Sequence, residues 1–522
     1  MLSSVYLFDI IIPDMSAAVP RMRQDSTGRQ YRFRRIVAMN YFEENLLPEE
    51  RGAIRYIPTV PQLIDIMVEK YGNNPALSEM GRTVTYSELV KEIAKKRALD
   101  ALRILKPGAH VGIMALNSID QVECFLAVMS AGMVAVMLPA SLDAESLKNC
   151  VKSMDVELLL VGEQFLQIAS TAGVHYVPIS FSGDWEAPAA EVDKKTPAAI
   201  FFTGGTTGRP KGAVLNHGAL MRGSYNGTFR RGTVFGQTLI AVLPMNHVFG
   251  MIFSMMSILY AGNHAWCCPQ PKALFSMMPL AKPTTLILVP GLAEVLLGVI
   301  RGKGLEVTGG NLTQVICGGA PVPPKLVRGF REFGITLNPG YGLTETANLV
   351  SANYDIDKYP ASVGMPYPEQ EHKVVDGELW VRGDLLFDGY YGMPEATAAV
   401  MQDGWLKTGD LVHVDKDGRI TIGGRIKNLI ILSNGENVSP EEVEEVFYRS
   451  DLIHDCIARE SEMNGLPIIE LEVLPEPGVD PIQLQRELDR LNALLPEHMK
   501  ISRFKTRSEE FRKSAALKIL RD

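Results

Sequence analysis

Short apolar runs, nearly all of them uncharged, recur between residues 110 and 317, and segments with helical periodicity separate them. The helical segment at 119–131, for example, follows one such run directly. Apolar runs of this length that alternate with helices are typical of βαβ units, whose parallel strands are buried on both faces. The pattern therefore predicts an α/β fold on a parallel sheet. The runs are 110–115, 132–139, 157–161, 198–202, 239–243, 285–289 and 314–317.

From residue 378 onward the pattern changes. The strings GELWVRG and GRITIGG alternate in polarity and contain glycine turns, which is typical of antiparallel strands. After Gly424 the chain has a helical pattern at 440–448, an apolar run at 468–473 and a second helical pattern at 481–495. We predict three parts, with a boundary near residues 425–427. They are an N-terminal surface arm over 1–50, a large body over 51–425 and a small α+β domain over 426–522.

Composition excludes several classes of protein. The chain has 522 residues, 46% of them hydrophobic and 21% charged, which is typical of globular domains. Its net charge of −8 argues against a general nucleic-acid binder. The six cysteines form no CxxC pair, so we expect buried thiols in a reducing compartment rather than disulfides or a zinc site. We predict a cytoplasmic location and no signal peptide, because the apolar N-terminus lacks a basic flank.

One long stretch without charge lies between Gly232 and Pro271. A membrane-spanning helix needs about 20 consecutive apolar residues. Pro244, Asn246 and His247 interrupt this stretch, and only the fifteen residues 248–262 are free of such breaks. The sequence therefore predicts a buried core helix here and no transmembrane segment.

The string TGGTTGRPKG, residues 203–212, directly follows one of the uncharged runs. Glycine allows backbone N–H groups to approach an anion closely, and threonine and lysine side chains donate to phosphate oxygens. It is not a Walker A loop, because its lysine is not followed by Ser or Thr at the start of a helix. We predict a phosphate-binding loop, the alternative being a mobile glycine-rich turn. The candidate ligands are Thr203, Gly204, Gly205, Thr206, Thr207 and Lys211.

This string closely resembles the phosphate loop of the ANL superfamily of adenylate-forming enzymes. Five further motifs follow in the family's order: GGAP, YGLTET, GWLKTGD, GRIKNLI and SNGENVSPEEVE. The resemblance spans about residue 60 to the end and is closest to the acyl-CoA and aryl-CoA synthetases. It implies a large N-terminal domain of layered α/β subdomains with a β-barrel-like part, followed by a small mobile α+β lid. It also implies ATP, Mg²⁺ and coenzyme A as cofactors.

The resemblance implies a first half-reaction in which a carboxylic acid and ATP form an acyl adenylate and pyrophosphate. Each motif has its own role in that step. Thr344 hydrogen-bonds the α-phosphate, Glu345 binds Mg²⁺, and Asp410 accepts from the ribose hydroxyls with support from Arg425. The adenine-side residues are Gly319, Ala320, Tyr341 and Gly342. Simpler alternatives are that Tyr341 is a core residue, Asp410 a turn residue after Gly409, and Glu345 an acid at a helix N-terminus.

The resemblance also assigns roles in the C-terminal region. Lys518 matches the lysine that meets the carboxylate and α-phosphate during adenylation, although Leu517 replaces the usual glycine before it. Lys427 matches the hinge about which the small domain rotates between half-reactions, and Asn428 stands where Asp or Glu is common. Gly435 borders the thiol channel in the second half-reaction.

The PMNHVFG string resembles a motif of fatty-acyl and aryl synthetases in which the histidine, here His247, flanks the acyl pocket. No Asp is present between Gly232 and Pro271 to pair an α-amine, which argues against amino-acid substrates. Gly340 occupies the place where short-acid members carry a tryptophan. We predict a medium or long apolar acid, or an aryl acid. The residues that would back the pocket, unless they are simply core, are Met251, Ile252, Phe253, Met255 and Met256.

Three functions remain open on the sequence alone. The first is an acyl-CoA synthetase, the second is an acyl-AMP ligase that loads a carrier protein, and both acceptors present a pantetheine thiol. The third, motivated by Leu517 and Asn428, is a nucleotide- or acyl-binding protein without turnover.

Overall fold

The computed structural model of the protein describes residues 41–203, 211–229, 232–432, 436–463 and 466–513, together with Ile519 and Arg521. Two large sheets with helices packed around them form the first part. This confirms the predicted α/β class. None of the described helices is long and apolar enough to cross a membrane.

The larger sheet has nine strands, and its central strands are parallel. Thr285–Leu288 pairs in parallel with Gln314–Cys317, which in turn pairs in parallel with Thr336–Tyr341. The carboxyl ends of these strands therefore meet at one edge, where ligands of open α/β sheets usually bind. In spatial order the strands are Met365–Pro366, Ser351–Ala352, Thr336–Tyr341, Gln314–Cys317, Thr285–Leu288, Thr238–Ala241, His264–Cys267, Pro75–Glu79 and Arg82–Thr85.

The second sheet has seven strands and contains a hairpin that the sequence analysis did not predict. Lys211–Asn216 runs antiparallel to Pro197–Thr203, and Thr203 is registered opposite Lys211. The glycine-rich string therefore lies between two paired strands. In spatial order the strands are Gly389–Tyr390, Lys211–Asn216, Pro197–Thr203, Val134–Met137, His110–Met114, Val156–Val161 and Tyr176–Pro178.

Helices cover both sheets, and their apolar faces fill one large hydrophobic cluster and a second, smaller one that includes residues of the seven-stranded sheet. Helix Tyr86–Arg97 begins with a capping box. Thr85 is the cap: its hydroxyl accepts from the Glu88 amide, and the Glu88 carboxylate accepts from the Thr85 amide. The α-helices of this part are Val60–Tyr71, Tyr86–Arg97, Asp100–Arg103, Ile119–Ser130, Ala144–Ser153, Leu166–Ala172, His217–Asn226, Ser257–Tyr260, Leu274–Ala281, Pro290–Lys303, Pro324–Arg331 and Pro394–Val400.

The uncharged stretch around residue 250 is buried, as predicted, but its first part is not an α-helix. Phe249–Met256 is a π-helix, and the Ser254 hydroxyl donates to the Phe249 carbonyl at 3.0 Å. π-Helical turns are frequent at functional sites. Short 3₁₀ turns occur at Pro48–Glu50, Glu163–Phe165, Pro271–Ala273, Leu305–Thr308, Thr344–Thr346, Ile426–Asn428 and Glu497–Met499.

The residues predicted as an arm divide into two groups. Residues 1–40 lie outside the described part of the chain. Residues 41–50 do not form a surface arm. Phe42 is fully buried and stacks on Tyr367 with ring centroids 4.3 Å apart, and the Glu50 carboxylate accepts from the Val234 amide. Burial of an aromatic side chain of this size lowers the free energy of the folded state.

An antiparallel sheet of five strands follows the two large sheets, as the sequence predicted. Its strand Trp405–Val414 pairs with three neighbours. The strands are Gln370–Val375, Glu378–Gly383, Met401–Gln402, Trp405–Val414 and Ile420–Arg425.

Beyond the 3₁₀ turn Ile426–Asn428 the chain forms a hydrophobic cluster of its own, which extends from Ile430 to Phe504. Helices Pro440–Phe447 and Pro481–Leu494 pack on two small sheets. The strands of these sheets are Ile430–Ile431, Asn437–Val438, Ile453–Met463, Leu466–Pro475 and Arg503–Thr506. We call the described residues from 430 onward the C-terminal unit.

Candidate active site

The candidate site lies where the ends of the two large sheets approach each other. The 3₁₀ turn Thr344–Thr346 follows strand Thr336–Tyr341 of the larger sheet and packs against both strands of the hairpin in the other. The turn is fixed by its own side chain, because the Leu343 amide donates to the Thr346 hydroxyl at 3.0 Å. This arrangement brings the turn that carries Thr344 and Glu345 beside the two strands that contain Thr203 and Lys211, although these residues are distant in sequence.

Gly342 holds this turn in place through a close backbone approach. A Cβ atom added at Gly342 would lie 1.2 Å from the carbonyl oxygen of Asn348, so no other residue fits this backbone. At Gly340, by contrast, an added Cβ would meet only the Ser351 carbonyl oxygen at 3.7 Å, which is ordinary contact. Glycine is therefore required by packing at Gly342 and leaves free space at Gly340.

The Glu345 carboxylate is oriented by a tyrosine that sequence reasoning missed. The Tyr390 hydroxyl donates to Oε1 of Glu345 at 2.6 Å, and Nζ of Lys211 lies 5.0 Å from the Tyr390 ring centroid. Burial, reinforced by the Glu345 carboxylate, raises the pKa of Tyr390 and keeps its proton in place. Oε2 of Glu345 makes no hydrogen bond to any described residue. No local motif around Tyr390 signals this contact, which depends on the pairing of Gly389–Tyr390 with the hairpin.

Asp410 is the centre of a second group. It is only 3% exposed and lies within strand Trp405–Val414, opposite Arg425. Nε and Nη2 of Arg425 donate to its two oxygens at 2.5 and 3.2 Å, and the Tyr341 hydroxyl donates to Oδ2 at 2.6 Å. The alternative that Asp410 is a turn residue is therefore wrong.

The electrostatics of this group keep both donors protonated. Burial first, and then the Asp410 carboxylate, raise the pKa of the Tyr341 hydroxyl well above its ordinary value. Burial acts to lower the pKa of Arg425, but its hydrogen bond to Asp410 and the charge of that carboxylate raise it overall. A carboxylate offers about four acceptor positions, so Asp410 retains capacity for a further donor.

The other predicted residues lie around these two groups or outside the described chain. Gly319 follows the end of strand Gln314–Cys317 and has a φ of +83°, which favours glycine, and Ala320 comes next. The His247 amide donates to the Pro244 carbonyl at 3.1 Å, directly before the π-helix. Met251, Ile252, Phe253, Met255 and Met256 are buried in the main hydrophobic cluster. Gly204, Gly205, Thr206, Thr207, Gly435, Leu517 and Lys518 lie outside the described residues.

Lys427 and Asn428 form part of the 3₁₀ turn that leads to the C-terminal unit. Burial, followed by the nearby Arg425 charge, lowers the pKa of Lys427. The Asn428 amide donates to Oε1 of Glu441 at 2.5 Å. An acid at position 428 would place two carboxylates in contact, and Asn428 avoids this repulsion.

Comparison with known proteins identifies the family. The model of the AMP-binding enzyme family matches residues 64–391. A feruloyl-CoA synthase from an Amycolatopsis species is 28% identical over 403 residues, covering 73% of this chain and 81% of that protein. A 2-succinylbenzoate–CoA ligase from Bacillus cereus is 29% identical over 367 residues, covering 67% and 74%. A long-chain-fatty-acid–CoA ligase from Escherichia coli O157:H7 is 26% identical over 478 residues, covering 79% and 84%.

Solved structures show the same fold. ATP-bound MatB from Rhodopseudomonas palustris aligns with a TM-score of 0.77 and 24% identity, covering 88% of this chain and 97% of that one. The o-succinylbenzoate CoA synthetase from Bacillus subtilis, in complex with its acyl-adenylate intermediate, aligns with a TM-score of 0.77 and 22% identity over the same shares. The predicted fold is thereby confirmed. The chain belongs to the AMP-binding enzyme family, which confirms the family resemblance seen in the sequence.

Proposed function

We propose that the protein joins a carboxylic acid to the thiol of coenzyme A through an acyl adenylate. A carboxylate oxygen attacks the α-phosphorus of ATP and pyrophosphate leaves; the thiol sulfur then attacks the acyl carbon and AMP leaves. The observation that carries this proposal is the meeting of Tyr341, Asp410 and Arg425 at hydrogen-bond distance. These residues come from three separate sequence motifs, and they meet in a chain of the AMP-binding family.

In this proposal the Asp410 group binds the nucleoside. The Asp410 carboxylate accepts a further hydrogen bond from a ribose hydroxyl, as carboxylates do in dinucleotide folds. The Arg425 and Tyr341 contacts fix the direction of the carboxylate. The ring of Tyr341, with Gly319, Ala320 and Gly342, borders the adenine.

The Glu345 group binds the polyphosphate end. Mg²⁺ prefers one or two carboxylates together with phosphate oxygens and water. Glu345 suits this mode because Tyr390 orients one of its oxygens, while the other makes no hydrogen bond to the described residues. Thr344 and Lys211 supply a hydroxyl and a positive charge for the phosphates, and Lys518 supplies the cation for the adenylation step. The glycine-rich string contributes Thr203, Gly204, Gly205, Thr206 and Thr207.

The two half-reactions are divided between two orientations of a lid. We take residues 51–425 as the adenylation domain and 426–522 as the lid, with residues 1–50 as a separate N-terminal segment. Lys427 is the hinge, and Gly435 borders the path of the thiol. The separate hydrophobic cluster of the C-terminal unit supports this division, because a unit with its own core is able to rotate as a body.

The acid is of medium or long chain length, or is an aryl acid. His247 flanks the acyl pocket. The free space at Gly340 supports this choice, because an added Cβ there would meet one atom at ordinary contact distance. The relatives named above are ligases of feruloyl, succinylbenzoyl and long-chain fatty acyl groups.

Pyrophosphate release with a panel of fatty and aryl acids, with and without coenzyme A, tests the proposal. We expect release with at least one of these acids and thioester formation with coenzyme A. Release without a coenzyme A thioester would favour loading of a carrier protein instead. Absence of release with every acid would favour a nucleotide- or acyl-binding protein without turnover.

Substitution of Lys518 tests the division of labour between the half-reactions. Lys518→Ala removes the cation from the adenylation step, so pyrophosphate release should be lost. Thioester formation from supplied acyl adenylate should persist, because that step makes no use of Lys518. Equal loss of both half-reactions would contradict the role assigned to this residue.

A further inference from the structure

Tyr390 lies between two groups of opposite charge that both belong to the candidate site. Its hydroxyl donates to Oε1 of Glu345 at 2.6 Å, and Nζ of Lys211 lies 5.0 Å from the centroid of its ring. No carboxylate of a described residue forms an ion pair with Lys211. The ammonium group and the carboxylate therefore share one tyrosine as a neighbour instead of contacting each other.

Strand pairing places the Tyr390 ring beside Lys211. Tyr390 is registered opposite Ala213, which is two residues after Lys211 in the paired strand. Side chains two residues apart on a strand lie on the same face, so all three side chains share one face of the sheet. Lys211 is thus a diagonal neighbour of Tyr390, a separation that an aromatic ring and a long side chain can span.

The segment that carries Tyr390 contacts Glu345 at a second point. The Phe387 amide donates to the Glu345 carbonyl at 2.9 Å, and the Phe387 ring makes an edge contact with the Tyr390 ring at 5.0 Å between centroids. The Tyr390 amide donates to the Thr397 hydroxyl at 2.9 Å, and the Tyr390 side chain is only 8% exposed. One short, well-anchored segment therefore holds both the backbone and the carboxylate of Glu345.

A direct ion pair between Lys211 and Glu345 would compete with ligands. The two charges would have to separate before a phosphate oxygen or a metal ion could bind to either of them. Tyr390 instead offers a neutral hydroxyl to one carboxylate oxygen and the negative face of its ring to the ammonium group. Burial, followed by the charge of Glu345, raises the pKa of the Tyr390 hydroxyl, so this group stays a neutral donor.

We propose that Tyr390 is a positioning residue that holds Lys211 and Glu345 apart, so that the carboxylate binds Mg²⁺ and the ammonium group binds the phosphates of ATP. This inference rests on the proposed function and adds to it a residue outside the six motifs of the family resemblance. The hydroxyl orients Glu345 and the ring holds Lys211. Loss of the hydroxyl should weaken metal binding alone, and loss of the whole side chain should weaken nucleotide binding as well.

Metal binding is measured without turnover. Electron paramagnetic resonance follows Mn²⁺ added to the protein with α,β-methylene ATP, which cannot release pyrophosphate, and no acid. Tyr390→Phe keeps the ring and removes the hydroxyl. Loss of a group that orients a metal ligand lowers metal affinity about 10- to 100-fold, and we expect Mn²⁺ affinity to fall by about that factor. Calorimetric binding of the same analogue in EDTA should be unchanged.

Tyr390→Leu removes the ring as well as the hydroxyl. Lys211 then loses a cation–π contact, which corresponds to a change of about 2- to 5-fold in affinity, and is free to pair with Glu345. We expect the analogue in EDTA to bind more weakly by about that factor, and Mn²⁺ affinity to fall at least as far as in Tyr390→Phe. Excess Mg²⁺ should restore pyrophosphate release fully in Tyr390→Phe and only in part in Tyr390→Leu.

Tyr391→Phe is the matched control. The Tyr391 hydroxyl donates to Oδ2 of Asp155 at 2.8 Å, a contact of the same kind that involves no residue of the candidate site. This variant should leave both affinities unchanged. Thr397→Val removes the acceptor of the Tyr390 amide and serves if Tyr390→Phe folds poorly. It should lower Mn²⁺ affinity by a smaller factor.

Three results would overturn the proposal: unchanged Mn²⁺ affinity in Tyr390→Phe, an equal loss in Tyr391→Phe, or the same analogue binding in EDTA for Tyr390→Phe and Tyr390→Leu. The binding measurements also separate this proposal from the proposed function. If no acid releases pyrophosphate, a loss of Mn²⁺ affinity in Tyr390→Phe that Tyr391→Phe does not share still supports the role of Tyr390. Absence of Mn²⁺ binding to the wild-type protein with the analogue rejects it.

Discussion

Two clusters of charged side chains differ mainly in their depth. In the first, Lys96 and Glu123 are each 1% exposed, and Nζ of Lys96 lies 3.2 Å from Asp120 and 3.6 Å from Glu123. Arg82 closes the group from the surface, 3.1 Å from Glu123. We call it the core charge cluster. All of its members belong to the large N-terminal part.

The second cluster joins the N-terminal part to the C-terminal unit. Nζ of Lys325 lies 2.9 Å from Glu476 and 3.5 Å from Glu294, and it donates to the carbonyls of Ile453 and His454. These side chains are partly exposed. We call it the boundary charge cluster. Breaking it exposes its charges to water, whereas breaking the core charge cluster leaves charge buried. The boundary is therefore held by contacts that are inexpensive to exchange, as the proposed rotation of the lid would require.

The largest effect is expected in the core charge cluster. Lys96→Met leaves Glu123 and Asp120 without their buried counter-charge, and removing one partner of a buried pair costs about 3–5 kcal/mol. Urea unfolding measures this loss of unfolding free energy. The neighbouring Lys95→Met is the control, because Lys95 pairs with Glu92 at the surface and should cost less than about 1 kcal/mol. Similar losses of unfolding free energy in both variants would contradict the expected difference between a buried and an exposed charge pair.

A pH effect of about 3 kcal/mol is expected from Glu444 in the C-terminal unit. Burial raises the pKa of Glu444 to about 7, against the opposing effect of Arg521. A carboxyl whose pKa is higher in the folded than in the unfolded state stabilises the fold below its unfolded pKa of about 4.5. That stabilisation is lost as the pH rises through about 7. Urea unfolding of the C-terminal unit at about pH 5 and about pH 8 should differ, and Glu444→Gln should remove the difference.

Arg521→Met should destabilise the C-terminal unit by about 2 kcal/mol at neutral pH. Arg521 donates to both oxygens of Glu444, at 2.8 and 2.5 Å, and lies 3.6 Å from Glu441. Without it Glu444 keeps only the Ala458 amide as a donor among the described contacts. Hydrogen exchange of helix Pro440–Phe447 should quicken. Unchanged exchange would show that this pair contributes nothing to local stability.

The smallest effect on stability is expected at the boundary charge cluster. Lys325→Met removes partly exposed ion pairs and should cost less than about 1 kcal/mol. It should nevertheless increase trypsin cleavage near Lys427, because the contacts between the two parts are weakened. Arg301→Met, which removes a surface pair with Glu332 inside the N-terminal part, is the control. A stability loss as large as that of Lys96→Met would contradict the comparison.

Local patterns in the sequence predicted most of the regular elements. The strand at 314–317 has the predicted bounds, and the predicted change to antiparallel pairing after residue 378 is confirmed. The motifs also identified Asp410 and Arg425 as candidates, and the structure places these two side chains in contact. These features depend on the periodicity of apolar residues and on short motifs, both of which are visible in a single sequence.

Features that depend on distant pairing were not predicted. The strand Lys211–Asn216 has no alternation of its own and forms because it pairs with Pro197–Thr203. Tyr390 contacts Glu345 across 45 residues, and Asn428 contacts Glu441 across a strand pair. The π-helical register at Phe249–Met256 has the same apolar composition as an α-helix. In each case tertiary packing, rather than the local secondary-structure propensity of the residues, determines the structure.

The pairing of Thr203 with Lys211 in neighbouring strands has a consequence for conformational entropy. Paired residues of antiparallel strands have Cα atoms about 4.5–5.5 Å apart. The seven residues between them are thus tethered at both ends to the same sheet. Bringing the two ends of a chain segment together costs conformational entropy. Here that cost is incurred when the two strands pair during folding. Thr203 and Lys211 are therefore held close together before any ligand arrives, so a ligand that contacts both has no ordering of these two residues left to bring about.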